Sequence, residues 1–218
     1  MILLKEIVFL LQKEFLLEWK QKYAISGILL YVCSTVFIIY LAASEIEAGI
    51  WNSLFWIIVV FASVNAVAKS FIQENGSRQL YYYQLVSPYA VLLSKMIYNT
   101  LLLWILTGLA YLMFSIFHPS PVEYGDKFLL AVLLGGLGFS VTLTFISAIA
   151  SKANNGSTLM AILGFPILIP ILVAIISISR NALVLRMGSI QGSINILIAT
   201  DLLLLAAAIV LFPYLWRD

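Results

Sequence analysis

The chain has 218 residues, of which 63% are hydrophobic and only 10% charged, and its formal net charge is +2. That balance lies far from the usual composition of a soluble domain and excludes a water-solvated globule built around one buried core. Lysines and arginines fall in alternate gaps between long apolar stretches, which is the pattern of a chain that threads a bilayer several times.

Residues 1–22 predict a helix that does not cross. Leu4, Val8, Leu11, Phe15 and Trp19 recur at three- and four-residue spacing as an apolar strip, with Lys5, Glu6, Gln12, Lys13 and Lys20 on the opposite side. Such a helix lies along a membrane surface, with Lys20 and Lys22 near the headgroups. Glu14 and Glu18 intrude beside the apolar sector, which points to contact with protein as well as lipid.

A helix that crosses a hydrocarbon layer of roughly 30 Å needs about 20 apolar residues, because no backbone amide can go unpaired in lipid. Six stretches meet that need, at about 24–43, 49–68, 96–117, 128–150, 158–177 and 194–213. The first is too long for the apolar part of a cleaved signal and follows a long charged and amphipathic segment. It is therefore expected to be retained, despite the small residues at Leu41-Ala42-Ala43-Ser44. Its Cys33, the only cysteine, has no disulfide partner and reads as a small packing residue.

The connection at 69–95 is too long to be a mere joint between two helices. Gln73-Glu74-Asn75-Gly76-Ser77 reads as a polar turn, and Arg78-Gln79-Leu80-Tyr81-Tyr82-Tyr83-Gln84-Leu85-Val86 as a short helix closed by Ser87-Pro88. Three consecutive tyrosines suit either a protein interface or an aromatic belt at the headgroups, and composition does not choose between them. After the next span, His118 is followed by Pro119 and reads as an exposed loop residue. As a haem-iron ligand it would stand alone, without a matching second ligand.

The span at 128–150 places Gly136, Ser140, Thr144 and Ala148 on one face, a small-residue stripe that favours close helix packing over a substrate path lined by hydroxyls. Gly135-Gly136-x-Gly138 lacks the Lys-Ser/Thr of a phosphate loop and lies inside an apolar helix. In the span at 158–177, Pro166 and Pro170 remove the helical partners of the carbonyls of Ile162 and Pro166, which gives either a fixed kink or a moving hinge. Asp201, one or two turns inside the last span from its outer end, is the one ionisable group near a membrane interior, and at that depth it reaches the interface or a polar neighbour. So few buried charges argue against a proton-coupled pump or a charged filter. The sequence offers no Cys-x-x-Cys-His and no His/Cys cluster, so no cofactor or metal is expected on this chain.

With the amino terminus inside, nine basic residues (Lys5, Lys13, Lys20, Lys22, Lys69, Arg78, Lys95, Lys152 and Arg217) face the cytoplasm, and only Lys127, Arg180 and Arg186 face outward. Both termini are thus expected in the cytoplasm.

Residues 71–106, and within them Gly76, Leu80, Leu85, Ser87, Pro88, Leu93 and Lys95, resemble the loop and third helix of the CcmB family, the membrane subunit of an ABC-type complex for haem export in c-type cytochrome assembly. Leu163-Gly164-Phe165-Pro166-Ile167-Leu168-Ile169-Pro170-Ile171-Leu172 resembles the family's proline-containing fifth helix. Gln79 departs from the acidic residue that members often carry, and Tyr81 to Tyr83 are unusually aromatic. The resemblance implies an all-α integral membrane protein of the ABC-2 permease type, with six transmembrane helices in one domain over 1–218, preceded by the amphipathic helix. It implies a bacterial inner-membrane location.

No Gly-x-x-x-x-Gly-Lys-Ser/Thr occurs, so the chain is expected not to hydrolyse ATP, and to be no enzyme. The resemblance assigns ATP to a separate CcmA-like ATPase. It implies CcmC-, CcmD- and CcmE-like haem-handling partners, with haem as cargo; a half-sized permease also calls for a second copy. Membrane lipid is a further partner, and no nucleic acid is expected. The candidate ATPase contact is Gln73, Glu74, Gly76, Arg78, Leu80, Tyr81, Tyr82, Leu85, Ser87 and Pro88. Pro166 and Pro170 form the candidate hinge, and Gly136, Ser140, Thr144 and Ala148 the packing stripe. Mechanical coupling comes before a haem-conducting pore in this reading. An ABC-2 permease for a drug, lipid or polysaccharide, and a non-transporting scaffold, are the alternatives.

Overall fold

A computed structural model describes residues 2–20, 22–43, 45–72, 86–153, 156–183 and 190–217. In chain order the helices are α1 (Ile2–Lys20), α2 (Lys22–Ala42), α3 (Ala48–Val67), the single turn α4 (Lys69–Ile72), α5 (Pro88–Phe117), α6 (Gly125–Ala150), α7 (Gly156–Leu183) and α8 (Gln191–Arg217). Among the described residues there is no strand. α3 and α5–α8 are long and apolar enough to cross a bilayer, and α2 adds the shorter apolar stretch Ser26–Ala42. The protein is an all-α integral membrane protein.

α6 is the hub of the bundle, in contact with α3, α4, α5, α7 and α8. Lipid tails are as apolar as leucine, so helices associate in a membrane by close packing more than by the hydrophobic effect, and small residues let backbones approach. The glycines of α6 show this on three sides. A Cβ on Gly135 would meet Ile175 of α7, one on Gly136 would meet Trp104 of α5, and one on Gly138 would meet Asp201 of α8. From Gly138 through Ala148 every residue of α6 is buried. Large apolar side chains such as Leu30, Ile38, Ile105, Ile162 and Leu203 point outward, as a lipid-facing surface requires.

The helical segments run beyond the apolar stretches. α5 starts at Pro88, two turns before the expected span at 96–117, and α4 takes up Lys69–Ile72, so helix occupies both ends of the 69–95 connection. Hydropathy marks the part of a helix that lies in lipid, whereas a helix with a good cap continues into the headgroups and water.

Three expectations differ from the structure. His118 is not an exposed loop residue: it caps the carboxyl end of α5, is 3% exposed, and its ring contacts those of Tyr40 and Phe114 at 5.9 and 5.5 Å. The aromatic residues flanking the α5 end enclose it. Cys33 is exposed on α2, not buried between helices as a packing residue would be. Asp201 lies against Gly138, near the midpoint of α6, deeper than its sequence position suggests; it is 6% exposed and its Oδ1 has no hydrogen-bond partner.

Candidate coupling site

The polar residues that cluster in this apolar protein gather where α1, α4, α5 and α6 meet. α5 starts at Ser87 because that residue has extended backbone angles and its Oγ accepts from the Ala90 amide at 3.3 Å, while Pro88 occupies the first turn, where its missing N–H is no loss. The Ser87 amide and hydroxyl in turn donate to one carboxylate oxygen of Glu6 in α1, at 3.2 and 3.0 Å. Replacing Ser87 with Ala removes both the cap and the hydroxyl bond to Glu6. The expected loss is about 1 kcal/mol, read as a lower midpoint of thermal unfolding in detergent, with Ser87→Thr retaining most of it.

Two turns further along α5, Lys95 is 2% exposed. Its ammonium donates to Glu14 Oε1 of α1 at 3.3 Å and to the Ser70 carbonyl of α4, and lies 4.8 Å from the centre of the Phe71 ring. Glu14 also holds Lys13 at 3.0 Å. Burial pushes the Glu14 carboxyl up, but the charges of Lys95 and Lys13 and their hydrogen bonds outweigh it, so Glu14 titrates below the ordinary glutamate range.

One turn beyond Lys95, Asn99 donates to Ser70 Oγ at 3.2 Å and to Thr144 Oγ1 of α6 at 2.8 Å. Ser147 of α6 accepts from the Phe71 amide and donates to the Ala68 carbonyl, both at 3.3 Å. Phe71 continues the contact to Phe212 of α8, with ring centres 5.6 Å apart. The chain that enters the 73–85 segment is therefore fastened at Ser70 and Phe71, and the chain that leaves it at Ser87.

α1 runs parallel to the start of α5. Glu6 meets Ser87, Glu14 meets Lys95, and Phe15 meets Tyr98 edge-on at 5.2 Å. Among the side chains described in α1, Ile7 and Leu10 are the buried apolar ones, whereas Leu4, Val8 and Phe15 of the expected apolar strip remain exposed. The helix thus has two working faces. One, with Glu6, Ile7, Leu10 and Glu14, docks on protein; the other is left for lipid.

Of the candidate contact residues, Ser87 and Pro88 stand at this junction. Gln73, Glu74, Gly76, Arg78, Leu80, Tyr81, Tyr82 and Leu85 lie outside the described residues. The stripe on α6 faces α5 at three positions. Gly136 sits under Trp104, Ser140 Oγ donates to the Met96 carbonyl at 2.8 Å, and Thr144 accepts from Asn99; Ala148 is buried beside Phe71. Pro166 and Pro170 lie within the continuous α7 and are exposed on its outward face, one turn apart. Sequence reasoning noticed Glu14 but overlooked Lys95 and Asn99 as a site. Their signal was two polar side chains, four residues apart, on one face of an otherwise apolar helix.

A bundle of this kind, with crossing helices gathered round α6 and a polar junction at one end, defines a polytopic α-helical membrane protein. A family model described as CcmB protein matches residues 5–215, and the chain belongs to that family, the permease subunits of haem-export ABC machinery in cytochrome c maturation. A search of curated proteins finds no match.

Proposed function

We propose that this chain is the mechanical coupling subunit of its ABC complex. A separate CcmA-like ATPase docks on residues 73–88 at the cytoplasmic face of the inner membrane, where both termini also lie. The observation that carries this reading is the double fastening of that segment, by Lys95 and Ser147 on the entering side and by Glu6 on the leaving side. A push that reaches either end of the segment passes through these bonds to α1, α5 and α6. Pro166 and Pro170 let α7 yield, because their missing amides weaken the helix there.

The chain itself holds no cofactor in this account. ATP belongs to the partner, haem is the cargo, and CcmC-, CcmD- and CcmE-like proteins receive or present it, with a second permease copy completing the membrane unit. The test is ATPase activity of the reconstituted complex. Replacing Tyr81 and Tyr82 with Ser, with assembly verified by co-purification, is expected to abolish the effect of the membrane subunit on ATP turnover. Unchanged turnover in an intact complex would leave a scaffold instead.

A further inference from the structure

At the end of the bundle opposite α1, between α3 and α7, lies a cavity of about 210 Å³ lined by Glu47, Gly49, Ile50, Asn52, Ser53, Ile176 and Arg180. Asn52 is 1% exposed. Its amide nitrogen donates to the Ile176 carbonyl at 3.3 Å, which fixes the amide orientation and leaves Oδ1 as the acceptor without a partner. A buried acceptor of this kind calls for a donor.

The same cavity has the opposite chemistry on its other side. α3 begins here, and Glu47 at its cap position gives no side-chain hydrogen bond to the helix. The first intrahelical bond is Trp51 N to Glu47 O at 2.8 Å, so the amides of Gly49 and Ile50 face the cavity end without a helical acceptor. The Arg180 guanidinium stands over this turn, 4.0 Å from where a Cβ on Gly49 would lie. Free amides, the positive end of a 20-residue helix and a guanidinium together suit a phosphate. Glu47 and Arg180, both exposed, form no ion pair with each other, which leaves room for a ligand carrying both charges.

We propose that this cavity binds the headgroup of a phospholipid that carries a primary ammonium. The phosphate lies between Arg180 and the α3 amino end, and the ammonium donates to Asn52 Oδ1 and faces the Glu47 carboxylate. A quaternary ammonium has no hydrogen to give Asn52, so a choline lipid leaves that acceptor unpaired and binds less well. The source is a lipid and not a free zwitterion because the cavity opens onto apolar ridges. Ile50, Ile57 and Phe61 of α3 and Phe165, Ile169 and Val173 of α7 are exposed, and the two rows converge where Phe61 meets Phe165 at 5.7 Å. Acyl chains have a groove to follow. On the orientation proposed above this is the outer leaflet.

The test is native mass spectrometry of the delipidated complex titrated with equal amounts of phosphatidylethanolamine and phosphatidylcholine of matched chains. Phosphatidylethanolamine is expected to be retained preferentially, and Arg180→Gln and Glu47→Gln, both surface changes compatible with folding, are each expected to weaken its retention about tenfold. Equal retention of the two lipids, or no change in either variant, would overturn the assignment. Displacement by soluble glycerophosphoethanolamine at the same concentration would overturn the lipid source. ATP turnover of the complex reads the coupling role separately, so either proposal can fail alone.

Discussion

Replacing Glu14 with Gln is expected to destabilise the protein by roughly 3 kcal/mol, because it takes a carboxylate from the Lys95 ammonium, which is 2% exposed and keeps the Ser70 carbonyl and the Phe71 ring but no longer the charge of Glu14. Removing one partner of a buried pair is more damaging than removing both, since the remaining charge stays out of water with less of its compensation. Lys95→Met is expected to be milder. Glu14 keeps Lys13 at 3.0 Å, and a methionine side chain fills the lysine stem's place beside Phe71. The double variant Glu14→Gln/Lys95→Met should therefore be more stable than Glu14→Gln alone, a reversal that independent contributions cannot produce.

Thermal unfolding of the four proteins in one detergent closes this cycle, and additivity of the two changes would remove the pair from the account. The pH dependence has a fixed sign. The folded-state pKa of Glu14 is depressed, so its stabilisation is complete above the ordinary glutamate range and fades as pH falls through the depressed value. Glu14→Gln should lack that part of the acid sensitivity.

Gly136→Ala is expected to have the second-largest effect, about 1–3 kcal/mol. The new methyl would stand 2.5 Å from Cδ1 and 2.8 Å from Nε1 of Trp104. An indole is rigid, and this one is also held by its hydrogen bond to the Leu133 carbonyl at 3.1 Å, so relief requires α5 and α6 to move apart. Gly108→Ala is the control, in the middle of α5, where an added Cβ meets nothing within 4 Å. It should be neutral or slightly stabilising, since alanine restricts the unfolded chain. Shrinking the ring with Trp104→Leu in the Gly136→Ala background should restore much of the loss. If Gly136→Ala and Gly108→Ala unfold alike, close approach at Trp104 is not what holds these helices.

The helical, membrane-spanning architecture was legible because a bilayer imposes one length and one chemistry on every crossing segment. Ser87-Pro88 was read only as the close of a helix over 78–86, of which 78–85 lie outside the described residues, whereas the pair opens α5, Ser87 as its cap and Pro88 in its first turn. The polar junction was less legible. Glu14 looked misplaced against an apolar strip, yet its partner lies far along the chain, and no periodicity within α1 names Lys95. His118 was misjudged because a histidine before a proline suggests a loop, whereas its burial comes from Tyr40 of another helix. For Asp201, counting residues from the end of its own helix gave a shallow depth; the neighbour that fixes the depth is Gly138, a residue of α6.

Both polar links from α1 to α5 join residues 81 positions apart. A ribosome making this protein finishes α1 long before Ser87 and Lys95 exist, so during synthesis Glu6 and Glu14 wait without their eventual mates. The outward face of Leu4, Val8 and Phe9 supplies a provisional berth on the membrane for that interval. The clasp between α1 and α5 thus cannot close until α3 and the start of α5 have both been delivered, and the bonds to Thr144 and Ser147 and the contact with Phe212 can only follow that delivery.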